Sequence, residues 1–376
     1  MKIILTGGGS GGHFYPLIAV AQEITRIAEA EKLLPPKMYY VGPEPYDERA
    51  LFENNIEFRR SAAGKIRRYR SWKNIFGWFL TFWGIVKALL QLFSIFPDVI
   101  FSKGGYASFP TLVAARLLGI PVIIHESDAS VGRVNMWSAK FAKHIAISYP
   151  HTAQEFPQEK VAFTGNPIRS DIKTPQSSGA FEYLHLEKDL PTLFILGGSQ
   201  GAEAINDTVL DTLDDLLNSY QIIHQTGTKN IKEIASIAEV ILEKNPHKSR
   251  YHAFGTLNTL AMRMAAGASS LVISRAGSGS IFEIAAWGLP SILVPIPDEV
   301  SHDQSKNAFA YSQTGAAIVL EQNNLTPSLL TAEINRLMQD PELRNRMSKA
   351  AKEFAKPDAA EIIARQLLKI IVAHQN

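Results

Sequence analysis

Leu5-Thr6-Gly7-Gly8-Gly9-Ser10-Gly11-Gly12-His13-Phe14-Tyr15-Pro16 joins a strand-like run, Lys2–Thr6, to a helical pattern that is clearest from Leu17 to Leu33. Five of the six residues from Gly7 to Gly12 are glycine. A tight turn needs one or two. A glycine-rich turn between a strand and a helix directs backbone N–H groups and the positive end of the helix dipole at one spot, which suits a phosphate or another anion. Close approach of a ligand, and not packing, is therefore the expected reason for the bare backbone. Gly7, Gly9 and Gly12 satisfy G-x-G-x-x-G, a weak signal by itself. A dinucleotide site would want an acid closing the second strand. That strand ends Val41-Gly42-Pro43, with Glu44 slightly late, and no G-K-[ST] follows the loop.

The same arrangement recurs further along. Leu193–Leu196 runs into "GGSQGAEAIND", and two more glycine loops follow strand-like runs, "SKGGYASFP" from Ser102 and "SRAGSGSIFEIAAWGLP" from Ser274. Apolar, β-branched runs at Lys2–Thr6, Met38–Gly42, Asp98–Ser102, Pro121–His125, His144–Ser148 and Val161–Gly165 alternate with helical patterns. The rhythm restarts at Thr192–Gly197, Tyr220–Gln225, Tyr251–Gly255, Leu271–Arg275, Ser291–Ile296 and Ala316–Leu320. This alternation predicts an α/β chain of two Rossmann-like, doubly wound parallel-sheet domains. They are expected to face each other across a cleft, because open α/β sheets bind ligands at the carboxyl ends of their strands. The expected domains are 1–166 and 167–355, with a last amphipathic helix within 356–376 packing back on the first. The polar stretch Ile168–Pro191 is the best linker candidate.

Composition narrows the class. The 376 residues are 46% apolar and 20% charged, with a net charge of +2, so no nucleic-acid partner is implied. The chain has no cysteine, which removes disulfides, thiolate catalysis and cysteine metal sites. The first residues enter a strand without a charged n-region and a long apolar h-region, so a cytoplasmic location is expected.

One segment is unusual. Lys65, Arg67, Arg68 and Arg70 precede an aromatic-rich helical stretch with Trp72, Ile75, Phe76, Trp78, Phe79, Phe82 and Trp83. The uncharged run Ile75–Val86 is shorter than the ~20 apolar residues that span a bilayer. A basic cluster before such a helix reads as an interfacial membrane contact, with Arg67, Arg68, Arg70, Trp72, Ile75, Phe79 and Trp83 as the contacting residues. The competing reading is an ordinary buried helix.

The stretches "GGGSGGHFYP", "GKIRRYRSW", "SKGGYASFP", "HESDASVGRVN", "GNPIR", "LGGSQGAEAIN", "ISRAGSGSIFEIAAWGLPSILVP" and "HDQSKNA" follow one another along the chain and carry a resemblance that covers essentially all of it. The sequence resembles the GT-B glycosyltransferases and, more closely, the MurG family, which adds N-acetylglucosamine to lipid I to give lipid II. The resemblance implies an inverting hexosyltransferase at the cytoplasmic face of the bacterial membrane. Its donor would be UDP-N-acetylglucosamine and its acceptor the 4-hydroxyl of the lipid-linked muramyl peptide. It implies roles for Ser10, Gly11 and Gly12 in the first loop, with His13 the general base. Arg169 and Ser199 would meet the donor phosphates. Ser278, Gly279, Ser280, Ile281 and Phe282 would form the turn near uridine and diphosphate. Glu283 would hold the ribose hydroxyls and Gln304 the transferred sugar. Asp128 stands where the family has an asparagine that contacts the donor, so a hydroxyl or amide partner is expected there. His125 and Glu126 end a strand, and Glu126 is either a second catalytic group or a loop brace.

The chemistry is consistent with these roles. Helix N-termini and Arg169 can stabilise a leaving diphosphate without a mandatory metal, and the chain has no Asp-x-Asp clamp. No metal ligands and no cofactor beyond the UDP-sugar are implied, and the oligomeric state is left open. Three other readings stand beside this one. Another GT-B lipid glycosyltransferase would share the same features. A non-catalytic nucleotide-sugar-binding protein would keep Glu283 and Arg169. Gly197-Gly198-Ser199-Gln200-Gly201 also matches the G-x-S-x-G elbow of α/β-hydrolases, which would make Ser199 a nucleophile.

Overall fold

The computed structural model describes residues 1–64, 73–198, 201–297 and 304–375, the side chains of 73–76, 374 and 375 excepted. Arg67, Arg68, Arg70, Trp72 and Ser199, and the side chain of Ile75, lie outside the described residues. The chain divides into two compact units, Met1–Ser170 with Lys356–Asn376, and Asp171–Ala355.

In the first unit β1 (Lys2–Thr6) leads into α1 (Gly11–Ala30), then β2 (Lys37–Gly42), α2 (Glu48–Glu53) and β3 (Ile56–Arg60). The long helix α3 (Lys73–Ile95) and β4 (Val99–Ser102) follow, then α4 (Phe109–Leu118), β5 (Val122–Glu126), α5 (Arg133–Ser138), β6 (His144–Ile147) and β7 (Val161–Phe163). The seven strands are parallel in the order β3-β2-β1-β4-β5-β6-β7. Ile4 pairs with Tyr39 on one side and Ile100 on the other. Successive side chains of β1 alternate between faces. Ile3 and Leu5 join the core under α1, whereas Ile4 joins the opposite core with Ala88 and Leu92 of α3 and Leu112 of α4. Both faces are covered, which is why these strands are continuous apolar runs.

The second unit repeats the plan. A short α6 (Ala180–Tyr183) precedes β8 (Thr192–Leu196), α7 (Glu203–Leu216), β9 (Gln221–Gln225), α8 (Ile231–Ile241) and β10 (Tyr251–Phe254). Then come α9 (Thr259–Ala268), β11 (Leu271–Ser274), α10 (Ser278–Trp287), β12 (Ser291–Leu293), α11 (Gln304–Ser312), β13 (Ala317–Val319), α12 (Pro327–Gln339) and α13 (Pro341–Phe354). Its six strands run β10-β9-β8-β11-β12-β13. The chain then returns to the first unit as α14 (Ala359–Gln375), whose Ile363, Leu367 and Ile371 share a core with Leu17, Ile24 and Ile27 of α1. Arg365 Nη1 meets Glu31 Oε1 at 2.8 Å beside this seam.

Three sequence expectations change. The stretch expected as a linker is strapped to the second unit from Asp171 onward. Gln176 N donates to Arg263 O (2.9 Å), Arg263 Nε to Thr174 O (3.0 Å), and Trp287 Nε1 to Ile172 O (2.9 Å). Residues 167–170, expected in the second domain, belong to the first unit. There Ser170 N donates to Gln22 Oε1 at 3.3 Å. Strand β3 was not anticipated. Its sequence, Ile56-Glu57-Phe58-Arg59-Arg60, carries three charges because it is a sheet edge, where charge discourages pairing with other chains.

Candidate active site

In each sheet the strand order reverses beside the first strand, between β1 and β4 and between β8 and β11. Ligands bind open α/β sheets at such switch points. The glycine loops singled out above leave these four strands.

The first loop is also crowded by its own unit, which the sequence does not lead one to expect. A Cβ on Gly7 would stand 2.9 Å from Lys103 Cβ, one on Gly8 2.8 Å from Tyr40 Oη, one on Gly9 3.0 Å from the Tyr106 ring, and one on Gly11 3.0 Å from Tyr46 Oη. Neighbours within the unit thus crowd four of the five glycines, and Gly9, at φ +98°, also holds a backbone conformation that side chains rarely adopt. Only Gly12 faces nearly open space. Tyr40 Oη also donates to Gly7 O at 2.7 Å, holding the loop from behind.

Helix α1 starts at Gly11, six residues before the clear periodicity, so His13 sits in its first turn. Ser10 occupies the N-cap position, but its hydroxyl lies 3.0 Å from His13 Nδ1 and caps no backbone N–H. The half-buried His13 presents Nε2 to the next loop, where a Cβ on Gly105 would be 3.7 Å away. Arg169 lies in the first unit, its guanidinium 4.7 Å above the Tyr15 ring. Tyr15 Oη donates to Asp47 Oδ2 (3.2 Å), and burial together with Asp47 pushes the phenol up to about 12.

Behind these loops lies a buried polar cluster. Glu126 Oε1 accepts from Asp128 N (3.2 Å), and Oε2 accepts from Gly132 N (2.8 Å) and Asn135 Nδ2 (2.9 Å). Burial, then the nearby Asp128, raises its carboxyl to about 7. With both oxygens engaged and 4% of the residue exposed, Glu126 is the brace of the Ser127–Gly132 loop. Of the two roles expected of Glu126, second catalytic group and loop brace, this geometry supports the brace. His125 is fully buried. Its Nε2 donates to Gly165 O (2.9 Å), which leaves Nδ1 to accept from Lys103 Nζ (2.5 Å). Burial and Lys103 hold this imidazole well below the usual histidine range. Lys103 Nζ donates also to Asn166 Oδ1 (3.0 Å). Lys103, Asn135 and Asn166 were not singled out from sequence, although each lies inside or beside a motif that was.

In the second unit Gly197 and Gly201 are again closed in by their own fold. A Cβ on Gly197 would be 2.7 Å from Gln225 O, and one on Gly201, at φ +83°, 2.5 Å from Thr226 O. Helix α10 opens after Gly277 with no side-chain cap, so Ser278, Gly279 and Ser280 form the positive end of its dipole. Gln304 opens α11. Its Oε1 accepts from Ile296 N (3.1 Å), and its Nε2 points at Gly277, 4.0 Å from where a Cβ would be. Asn307, one turn on, donates to Ala276 O at 3.3 Å and fixes the same loop. The structure therefore brings Ser278–Ser280 and Gln304 together, with Glu283 half-buried in the second turn of α10. Ile281 and Phe282, expected in the same turn, point their side chains inward. Both side chains are fully buried, the Phe282 ring packs 5.0 Å from Phe354, and Ile281 N is spent on Gly277 O. Their side chains hold the helix in place.

Helix α3 is amphipathic in an inverted sense. Its inward stripe is Gly77, Thr81, Gly84, Ala88, Leu92 and Ile95, whereas Trp78, Phe79, Phe82, Trp83, Leu90 and Phe93 face outward at 60–73% exposure. The small residues admit the strand-like segment Ser61–Gly64. Gly64 N donates to Thr81 Oγ1 (3.1 Å), Ser61 Oγ to Gly84 O (3.2 Å), and a Cβ on Gly84 would collide with Ala62 O. Gly77–Ile95 is also long and apolar enough to cross a membrane by length and composition. Its inward stripe, however, is packed on this unit.

Two doubly wound sheets with glycine turns at both switch points form the GT-B architecture of nucleotide-sugar glycosyltransferases. Residues 3–147 match the glycosyltransferase family 28 N-terminal domain and residues 192–363 its C-terminal domain. The chain belongs to the family of UDP-N-acetylglucosamine–N-acetylmuramyl-(pentapeptide) pyrophosphoryl-undecaprenol N-acetylglucosamine transferases. The protein of that name from Treponema pallidum is 35% identical over 375 residues, covering 98% of this chain and 95% of its own length. The one from Pediococcus pentosaceus is 33% identical over 367 residues, covering 96% and 97%. The crystal structure of Acinetobacter baumannii MurG matches with a TM-score of 0.74 at 25% identity, over 98% of this chain and 99% of that one. The hydrolase reading of Gly197–Gly201 falls with this result.

Proposed function

We propose that the chain transfers N-acetylglucosamine from UDP-N-acetylglucosamine to the undecaprenyl-diphosphate-linked muramyl peptide named by its relatives. The observation that carries this is kinship at 33–35% identity across nearly the full length of both chains. In this reading the acceptor 4-hydroxyl attacks the anomeric carbon of the donor. The bond to the β-phosphate oxygen breaks with inversion, UDP leaves with the electron pair, and His13 takes the hydroxyl proton. Glu283 receives the ribose hydroxyls. The N–H groups of Ser278–Ser280, at the positive end of α10, stabilise the diphosphate, and Gln304 beside them contacts the sugar. Arg169 is a further anion-binding group, and Asp128 binds a hydroxyl or amide. Because helix termini and a guanidinium supply this charge, turnover is expected to persist in a chelator such as EDTA.

The membrane is part of the proposal. The acceptor's polyprenyl tail stays in the bilayer, so the enzyme must rest on the cytoplasmic surface. The outward aromatic face of α3 suits headgroup-level burial, and Arg67, Arg68 and Arg70 suit anionic lipid, each basic group contributing about 1 kcal/mol.

Paired substitutions test the division of labour. Glu283→Ala should weaken UDP binding by roughly 1.5–3 kcal/mol, the scale of a hydrogen bond to a charged group. His13→Ala should lower turnover ~10²–10⁴-fold with UDP affinity intact. Titration calorimetry and a transfer assay separate the two. A folded Glu283→Ala protein with parental UDP affinity, or a His13→Ala protein with parental turnover, sinks the corresponding role.

A further inference from the structure

Lys103 is almost completely buried, at 1% exposure, and no step described above uses it. A buried ammonium group is costly unless several partners hold it. Here they come from distant parts of the chain. The Lys103 backbone N–H donates to Thr6 O (2.9 Å) at the end of β1. Its amine donates to His125 Nδ1 (2.5 Å) at the end of β5 and to Asn166 Oδ1 (3.0 Å) after β7. Its Cβ lies directly under Gly7. Lys103, just after β4, thus touches the loop after β1, the end of strand β5 and the loop after β7. The charged and titratable groups around it are His125 in contact, Glu126 and Asp128 from the β5 loop, and His13 acting on His125.

The next two residues explain why this matters. Gly104 and Gly105 have φ of +71° and +79° and carry no side chains of their own. Their position is set by what anchors them. On one side the anchor is Lys103; on the other it is the turn Tyr106–Ser108, closed by Ser108 Oγ donating to Gly105 O (2.9 Å). Gly105 is the residue that lies against His13 Nε2 and Gly8 O, where an added Cβ would be 3.7 and 3.3 Å away.

We propose that Lys103 is a positioning residue for the transfer reaction: its amine ties the loop after β4 to the end of strand β5 and the loop after β7 and so holds the Gly104–Gly105 backbone against the His13 ring. The inference rests on the transferase reading and on His13 as its base. Lysine suits the task because it spans from β4 to β7 and supplies donors to two acceptors at once. Methionine has similar length and no donor.

The chain has no cysteine, so a cysteine placed at 103 is the sole thiol. Lys103→Cys can be aminoethylated while unfolded and refolded, which restores an amine at nearly the lysine position. Lys103→Met and unmodified Lys103→Cys should lose about a hundredfold in kcat, the scale of an ångström-sized misplacement. KM for UDP-N-acetylglucosamine and UDP affinity should be unchanged, and aminoethylation should recover most of the loss. Parental kcat in folded Lys103→Met overturns the proposal. So does a folded aminoethylated protein as slow as the unmodified one, because packing and not the amine would then be what matters. Should the methionine variant not fold, Asn166→Ala removes one arm of the tie and must also lower kcat, and unchanged kcat overturns the proposal equally. The parent runs in the same assay. A parent that transfers no sugar refutes the transferase reading itself, and the inference with it.

Discussion

Burial moves the pKa values of Lys103 and Glu126 in opposite directions, the lysine down and the carboxyl up, each to about 7. From pH 7 toward 10.5 the unfolded lysine keeps a proton that the folded one has lost. The unfolded state binds more protons there, so this group makes stability rise with pH. From pH 4.5 toward 7 folded Glu126 keeps a proton that the unfolded carboxyl has lost, so this group makes stability fall as pH rises. Urea midpoints measured across pH 5–10 should therefore lose the alkaline rise in Lys103→Met and the acid-side fall in Glu126→Gln. Parent-like curves in both variants contradict the assignment. Glu126 stands out in the sequence, with its role left open between catalysis and bracing; Lys103 does not, because a lysine inside "SKGGY" reads as a solvated charge until the fold closes over it. The glycines of the first loop were legible as a special backbone. Their partners Lys103, Tyr40, Tyr106 and Tyr46 come from distant parts of the chain, so their packing role was not. Phe282 shows the opposite limit: a motif can mark a turn without telling which of its side chains faces outward.

Helix α3 was legible as a segment, and its direction was not. Aromatic composition says nothing of which way the rings point. A usable signal was present in Gly77, Thr81, Gly84 and Ala88, spaced four, three and four apart, since small residues on one stripe admit another backbone. That geometry separates stability from membrane binding. Phe79 and Trp83 are 66% and 60% exposed, so replacing both with Ser should change stability by no more than about 0.5 kcal/mol per site. The same pair should reduce sedimentation with neutral and anionic vesicles. Gly84→Val should do the reverse and cost at least ~1–3 kcal/mol by overpacking against Ala62. Vesicle binding that survives the serine pair would move the membrane contact elsewhere. Strand β3 escaped notice for a related reason. With Glu57, Arg59 and Arg60 its pattern is that of a protected edge and not of a buried run.

The whole molecule is two repeats of one plan, and that much was readable from strand rhythm alone. The division at Ser170 was not, because the polar stretch after it looks like a linker until its bonds to Arg263 and Trp287 are seen. The first unit is discontinuous and depends on α14, which buries Ile363, Leu367, Leu368, Ile370 and Ile371. Each such side chain is worth about 1.5–3 kcal/mol. Domain stability is about 5–15 kcal/mol. Ending the chain at Ala355 should therefore abolish the cooperative unfolding of the first unit while the second unit still binds UDP, more weakly for want of Arg169, and a retained transition contradicts that role for α14. The central claim is tested most directly by transfer of radiolabelled N-acetylglucosamine from its UDP-sugar to a lipid I analogue, with UDP-glucose and UDP-N-acetylgalactosamine run alongside. The account predicts labelled disaccharide lipid from UDP-N-acetylglucosamine and little from the others. No labelled lipid from a folded, UDP-binding protein, or preferred transfer from another UDP-sugar, would contradict it.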